Sequence, residues 1–199
     1  KHNQIKETPL IVGENYFITV DEEGSILKFI NRGKFRWSKN VYSKKEKKKV
    51  ESISLALHED KLYVMDNLGK YYSLNVDNGK VIWIKRHKAM FNSQIKVFKN
   101  KIFVVDSNNN INCFSTKNGK QLWKFETNST FIKTNKKLSI IVTPNSVLFS
   151  NTAGDIAKVN INTGELIWFI PTQNTLIKHE TDFLETSDIV LFKKNIFFS

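Results

Sequence analysis

Apolar and polar residues alternate along this chain in short runs and never settle into a helical period. Four to seven residues rich in Val, Ile, Leu, Phe and Tyr give way to two or three of Asn, Asp, Gly or Lys, and the cycle starts again. Residues 53–57, 62–66, 70–76 and 80–85 are separated by His58-Glu59-Asp60, Asn67-Leu68-Gly69 and Asp77-Asn78-Gly79. Runs rich in β-branched and aromatic residues, broken by Asn-Gly and Asp-Gly clusters, predict antiparallel hairpins. The same reading predicts strands over 95–98, 101–106, 111–115 and 121–125, then over 138–142, 147–150, 155–161 and 166–170. No window carries a 3.6-residue apolar period, so almost no helix is expected.

The runs themselves repeat. Four times a Gly precedes a Trp by four positions: Gly33 and Trp37, Gly79 and Trp83, Gly119 and Trp123, Gly164 and Trp168. These are all the Trp residues of the chain, spaced 46, 40 and 45 residues apart. Aligned on Asp21, Asp66, Asp106 and Asn151, the third residue on is Gly24, Gly69, Asn109 and Gly154, and six residues earlier stand Asn15, Asp60, Asn100 and Asn145. Asn109 replaces Gly where Asn is the best substitute, because both accept a left-handed backbone in a tight turn. A period of this length with four short strands per unit predicts an all-β fold, a β-propeller of four-stranded antiparallel blades. The blades are expected over 8–41, 50–86, 93–127 and 137–171, with a partial blade over 187–199, the whole of 1–199 forming one incomplete propeller domain. The fifth unit is read as a strand over 188–192, a turn at Asn195 and a strand from Ile196. Four and a half units close no ring, so the chain reads as a piece of a longer propeller.

Composition adds little chemistry. Hydrophobic residues make up 40%, and no run approaches the ~18 apolar residues of a membrane-spanning helix. The formal charge is +12, yet only Arg32, Arg36 and Arg86 are arginines. Phosphate and base readers favour the bidentate Arg fork, so the Lys excess reads as compositional drift and no nucleic-acid partner is assigned. The run Lys44-Lys45-Glu46-Lys47-Lys48-Lys49 reads as a solvated loop between the first two blades. Cys113 is the only cysteine and sits where a small core residue fits. His2, His58, His87 and His179 are scattered singly, without metal-ligand spacing. No nucleophile elbow, phosphate loop or EF-hand loop is present. The repeated Asp21, Asp66 and Asp106 end second strands before turns, where Asp or Asn bonds its own backbone, and Asn151 fits that role as well. Asn128-Ser129-Thr130 matches a glycosylation sequon by letter only. No catalytic, cofactor-binding or metal-binding residue is assigned.

The fourth strands explain the repeat. In Asn162-Thr163-Gly164-Glu165-Leu166-Ile167-Trp168 a tight turn leads into a strand whose Trp can lie against a neighbouring blade. Such a ring buries roughly 150–250 Å² and can still direct its indole N–H to a carbonyl. Asn31-Arg32-Gly33 makes a turn one residue shorter than the others, so an irregular first sheet is expected.

At these residues the chain resembles the quinoprotein-like propeller superfamily, whose repeats carry a tryptophan-docking motif of the form Asp-x-x-Thr-Gly-x-x-x-Trp. Within it the nearest resemblance is to BamB-type lipoproteins, eight-bladed scaffolds of the outer-membrane β-barrel assembly machinery. That resemblance implies a fragment of an eight-bladed ring and a non-enzymatic scaffold at the periplasmic face of a bacterial outer membrane. It also implies a β-barrel assembly subunit as partner, no cofactor, and a lipid anchor lying outside this chain. The alternative is a fragment of a pyrroloquinoline quinone (PQQ)-dependent dehydrogenase. Those enzymes hold the quinone between a Trp and, in many, a vicinal disulfide, beside calcium and a catalytic Asp; here no two cysteines are adjacent and no Trp lies outside the docking motif. A candidate partner loop is the connection over 172–186, with the apolar pair Leu176 and Ile177 beside Lys178.

Overall fold

The structure, a computed structural model, describes residues 5, 8–127, 137–171, 188–193 and 195–197. Its strands follow the alternating runs. The first sheet is β1 (Ile11–Val12), β2 (Tyr16–Val20), β3 (Ile26–Ile30) and β4 (Lys34–Lys39). A helical turn, α1 (Lys44–Lys47), leads to the second sheet, β5 (Ile53–His58), β6 (Lys61–Asp66), β7 (Lys70–Asn75) and β8 (Val81–Arg86). The third holds β9 (Lys96–Phe98), β10 (Lys101–Val105), β11 (Ile111–Ser115) and β12 (Gln121–Phe125), and the fourth β13 (Ile140–Val142), β14 (Ser146–Ser150), β15 (Ile156–Asn160) and β16 (Leu166–Ile170). In each, consecutive strands pair antiparallel in chain order, the pattern that short hairpin turns impose. A two-stranded sheet, β17 (Val190–Phe192) with β18 (Asn195–Phe197), closes the described chain.

The molecule divides into two compact units, Lys1–Phe91 with Thr116–Gly119, and Asn92–Ser115 with Lys120–Ser199. In the first unit the buried faces of the first and second sheets share a core of Ile18, Ile26, Trp37, Ile53, Leu62 and Tyr72. In the second unit Phe103, Ile111, Cys113, Val147, Phe149 and Val159 form the core of the third and fourth sheets. Burial pushes the Cys113 thiol up to about 12, so at neutral pH it is a packing group and not a thiolate.

One turn is built four times between the second and third strands. Asp21 Oδ1 accepts from the N–H groups of Glu23 and Ser25 at 3.0 and 2.7 Å. Asp66 does the same with Leu68 and Lys70, Asp106 with Asn108 and Asn110, and Asn151 with Ala153 and Asp155. The left-handed position follows, at Gly24, Gly69, Asn109 and Gly154. Asn109 does more than replace a Gly. Its side chain donates to Thr152 Oγ1 at 2.9 Å and accepts from the Thr152 N–H at 3.1 Å, tying the turn of the third sheet to that of the fourth.

Three expectations are corrected here. The lysine run is not an open loop: Ser43 caps α1, with its Oγ accepting from the Glu46 N–H and the Glu46 carboxylate accepting from the Ser43 N–H. Ser43-x-x-Glu46 is a capping box, a signal that the lysines around it obscured. The first sheet does shift register, between Lys28 and Phe29, but the other three shift at the matching point. What sets the first hairpin apart is three consecutive left-handed residues, Asn31, Arg32 and Gly33, which turn the chain in less length. Asn195 is a strand residue paired with Phe192, and the left-handed residue of that hairpin is Lys193.

Asp66 is the one turn carboxylate placed badly for its charge. Only 2% of the residue is exposed, and its Oδ2 lies buried near the Tyr42 and Tyr72 hydroxyls without a hydrogen-bond partner on any of the three oxygens. Burial raises the Asp66 carboxyl above the ordinary aspartate range. An acid whose folded value is raised carries no penalty while protonated and destabilises progressively as pH climbs past its unfolded value. Asn151 shows that an amide fills the turn role. Asp66→Asn is therefore expected to raise the midpoint of denaturant unfolding at neutral pH, with the gain vanishing below about pH 4. Equal midpoints at both pH values would show that the carboxylate carries no such penalty.

Candidate functional site

The repeated Gly and Trp residues meet between successive repeats, not within one. Trp37, on β4, lies over Gly79 of the β7–β8 turn, where a Cβ would sit 2.8 Å from the indole ring. Trp83, on β8, covers Gly119 so that a Cβ would lie 2.7 Å from Cε3 and Cζ3, and Trp123, on β12, covers Gly164 with the corresponding distance 2.6 Å. All three glycines have positive φ, from 68° to 76°. Each indole N–H donates to the carbonyl three residues before its glycine: Trp37 to Val76 at 3.1 Å, Trp83 to Thr116 at 3.0 Å, Trp123 to Ile161 at 3.2 Å. The turn thus presents a flat, Cβ-free surface and an acceptor together, and the indole satisfies both.

The two terminal members of the series differ. Gly33 has φ +86° but no atom within 4 Å of the position a Cβ would take. It borders a cavity of about 700 Å³ in the first unit, lined among others by Leu10, Val12, Tyr16, Phe17 and Ile30. Trp168 is half-buried, with the Lys158 ammonium 5.9 Å from its ring centroid.

Several side chains that support these docks do not announce themselves in sequence. Tyr71 stands in a column otherwise filled by Ile26, Ile111 and Ile156, and its ring meets that of Trp83 edge-on at 5.7 Å. Its hydroxyl donates to the Gly119 carbonyl at 2.9 Å, so one aromatic fixes both the Trp and the turn below it. Lys28 occupies an inward position of β3, and its ammonium donates to the Val76 carbonyl at 2.9 Å, the same acceptor that Trp37 uses. Burial lowers the Lys28 amine below the ordinary lysine range, opposed by Asp77 at 3.9 Å.

Among the described residues, the groups that the dehydrogenase resemblance would call on are engaged elsewhere. Cys113 is single and buried in a sheet, three Trp rings are covered by glycines, and the repeated carboxylates are tied into turns. Among the described residues no three His, Cys, Asp or Glu side chains come together as a metal site. Leu176, Ile177 and Lys178 lie outside the described residues.

Four-stranded antiparallel sheets, the first three repeats each locking a Trp over a glycine of the next, define a β-propeller of the PQQ-repeat class. The chain belongs to the family described as outer membrane protein assembly factor BamB, whose model matches residues 22–190. No curated protein matches the sequence. Among solved structures, BamB from Moraxella catarrhalis superposes with a TM-score of 0.81 at 14% identity, covering 96% of this chain and 57% of that one. A quinohemoprotein alcohol dehydrogenase from Pseudomonas putida HK5 gives 0.66 at 12% identity, covering 100% of this chain and 39% of that one. The quinohemoprotein alcohol dehydrogenase from Comamonas testosteroni gives 0.64 at 13%, covering 85% and 36%. The chain therefore spans little more than half the length of the BamB structure. At these identities the likeness is one of fold.

Truncating Trp83 to Ala is expected to cost about 3–5 kcal/mol, the usual loss for a buried aromatic. Gly119→Ala adds overpacking against the Trp83 ring, about 1–3 kcal/mol, to the left-handed strain of about 1–2 kcal/mol. Gly33→Ala carries the backbone strain alone. Denaturant melts should rank Trp83→Ala and Gly119→Ala well above Gly33→Ala. Equal losses for the two glycine variants would show that ring contact contributes nothing.

Proposed function

We propose that this chain forms part of a non-enzymatic protein-interaction scaffold that assists assembly of β-barrel proteins into a bacterial outer membrane. In this reading it works at the periplasmic face, held to the membrane by a lipid anchor outside this chain, with a β-barrel assembly subunit as partner. The observation that carries the reading is the use made of the Trp residues. Three have both ring and N–H engaged in repeat-to-repeat docking, so the most reactive-looking column of the sequence serves packing. The family match over residues 22–190 supports it. Leu176, Ile177 and Lys178 remain the proposed partner loop.

A second reading, a fragment of a PQQ-dependent dehydrogenase, draws on the fold likeness to the two alcohol dehydrogenases. The two readings part in one experiment. The protein is incubated with PQQ and calcium, gel-filtered and examined by absorbance, and in parallel used to capture partners from solubilised outer membranes. The scaffold reading expects no retained chromophore, together with capture of a barrel-assembly subunit that Leu176→Asp or Lys178→Glu weakens without lowering the melting temperature. Stoichiometric chromophore would establish the dehydrogenase reading. Capture indifferent to both substitutions would remove the loop from the interface.

A further inference from the structure

We propose that the lysine-rich turn over residues 43–49 is a docking surface for the headgroups of an anionic lipid bilayer. The capping box gives five lysines and one glutamate a fixed backbone, with no buried residue in α1. Its single acid is occupied from within. The Glu46 carboxylate pairs with Lys70 at 2.8 Å and with Arg86, and the Lys70 hydrogen bond holds its carboxyl down at about 2, so it stays ionised and bound to the body of the first unit. Lys47 is paired with Glu23. Lys44, Lys45, Lys48 and Lys49 are all exposed, and among the described residues no carboxylate lies within ion-pair distance of any of them. The result is four ammonium groups held on one turn with their local counter-charges engaged elsewhere.

The chemistry of the patch selects among anionic partners. Its four unpaired residues are all lysines, point charges on flexible stems, and the guanidinium of the adjacent Arg86 is held by Glu46 and the Leu68 carbonyl. None of its residues lines the cavity of the first unit. An exposed cluster of four lysines matches a surface of many weak, laterally mobile anions, where each lysine contributes roughly fivefold to partitioning. This inference is independent of the scaffold reading.

The test is sedimentation of the intact chain with phosphatidylcholine vesicles, with and without phosphatidylglycerol. Binding is expected only with the anionic lipid, and it should be lost near 1 M salt, where the Debye length is about 3 Å. Reversing Lys44, Lys45, Lys48 and Lys49 to Glu together should lower the partition coefficient by on the order of a hundredfold or more. The variant is expected to melt like the parent, since none of the four ammonium groups supports the fold. A control with the same charge change on other exposed lysines, Lys34→Glu, Lys80→Glu, Lys99→Glu and Lys193→Glu, should lose far less. Equal loss in the two variants, or no binding to anionic vesicles by the parent chain, overturns the proposal. Tighter binding to polyglutamate than to vesicles of matched charge overturns it in favour of an acidic polypeptide.

Discussion

An indole ring can lie against a polypeptide turn only where the turn has no Cβ to hold it off, and in this chain that contact links one repeat to the next. A Cβ at Gly79, Gly119 or Gly164 would come within 2.6–2.8 Å of a ring, closer than any real contact allows. The left-handed backbone that makes glycine favourable at these turns also exposes the carbonyl three residues earlier, and the indole N–H takes it. Backbone conformation, ring packing and hydrogen bonding thus agree at one point. The contact is staggered by one repeat, so the hairpins at Gly79, Gly119 and Gly164 are each completed by the strand of the unit before it. Stability in such an arrangement depends on nearest-neighbour interfaces more than on the individual sheets, which are too small to be stable alone.

The polar groups near the docks show how closely the repeats copy one another and where copying fails. The second oxygen of Asp106 accepts from Asn112 Nδ2 at 3.0 Å. In the second repeat the position of Asn112 is taken by Tyr72, whose hydroxyl makes no such bond, and Asp66 Oδ2 is left buried and unpaired. The turn in both repeats is the same, and only the outer oxygen differs. A group of this kind costs stability without changing the fold, because the backbone bonds that define the turn are intact. Lys28 is the opposite case, a buried cation retained because the Val76 carbonyl, the Tyr16 ring at 4.3 Å and Asp77 all face it.

Strands, turns and the repeat were legible because each rests on local chemistry: alternation for the strands, Asn, Asp and Gly for the turns, and a recurring column for the period. The pairing of Gly with Trp was legible as a spacing. The spacing, however, joins Gly79 to Trp83, whereas the contact joins Gly79 to Trp37. Nothing within one repeat encodes that stagger, since it arises only when two sheets pack. The roles of Tyr71 and Lys28 were hidden for the same reason: both act through a partner tens of residues away. Asn109 could be read as a glycine substitute but not as a link to Thr152, which lies 43 residues on. The helical turn was a different kind of miss. Its capping box, Ser43 and Glu46, is present in the letters, but a helix of four residues with none buried carries no apolar period to mark it.

These constraints decide where recognition chemistry can reside. A Trp whose ring and N–H are both engaged cannot also serve as a ligand platform, and a turn carboxylate that accepts two backbone N–H groups cannot act freely as an acid or base. The sheets of this chain are built so that their most distinctive side chains are consumed by packing. What remains available is carried by exposed outer-strand residues such as Ile82, Ile84, Leu166 and Ile167, and by the connections between sheets, which are free to vary because the docks hold the sheets without them. The turn at 43–49 shows how such a connection can be given a defined shape at small structural cost. One capping box and one glutamate anchored by Lys70 and Arg86 suffice to hold four lysines outward. A partner of these repeats therefore has two kinds of surface to meet, the exposed apolar faces of β8 and β16 and the connections, whose rigidity the sheets determine.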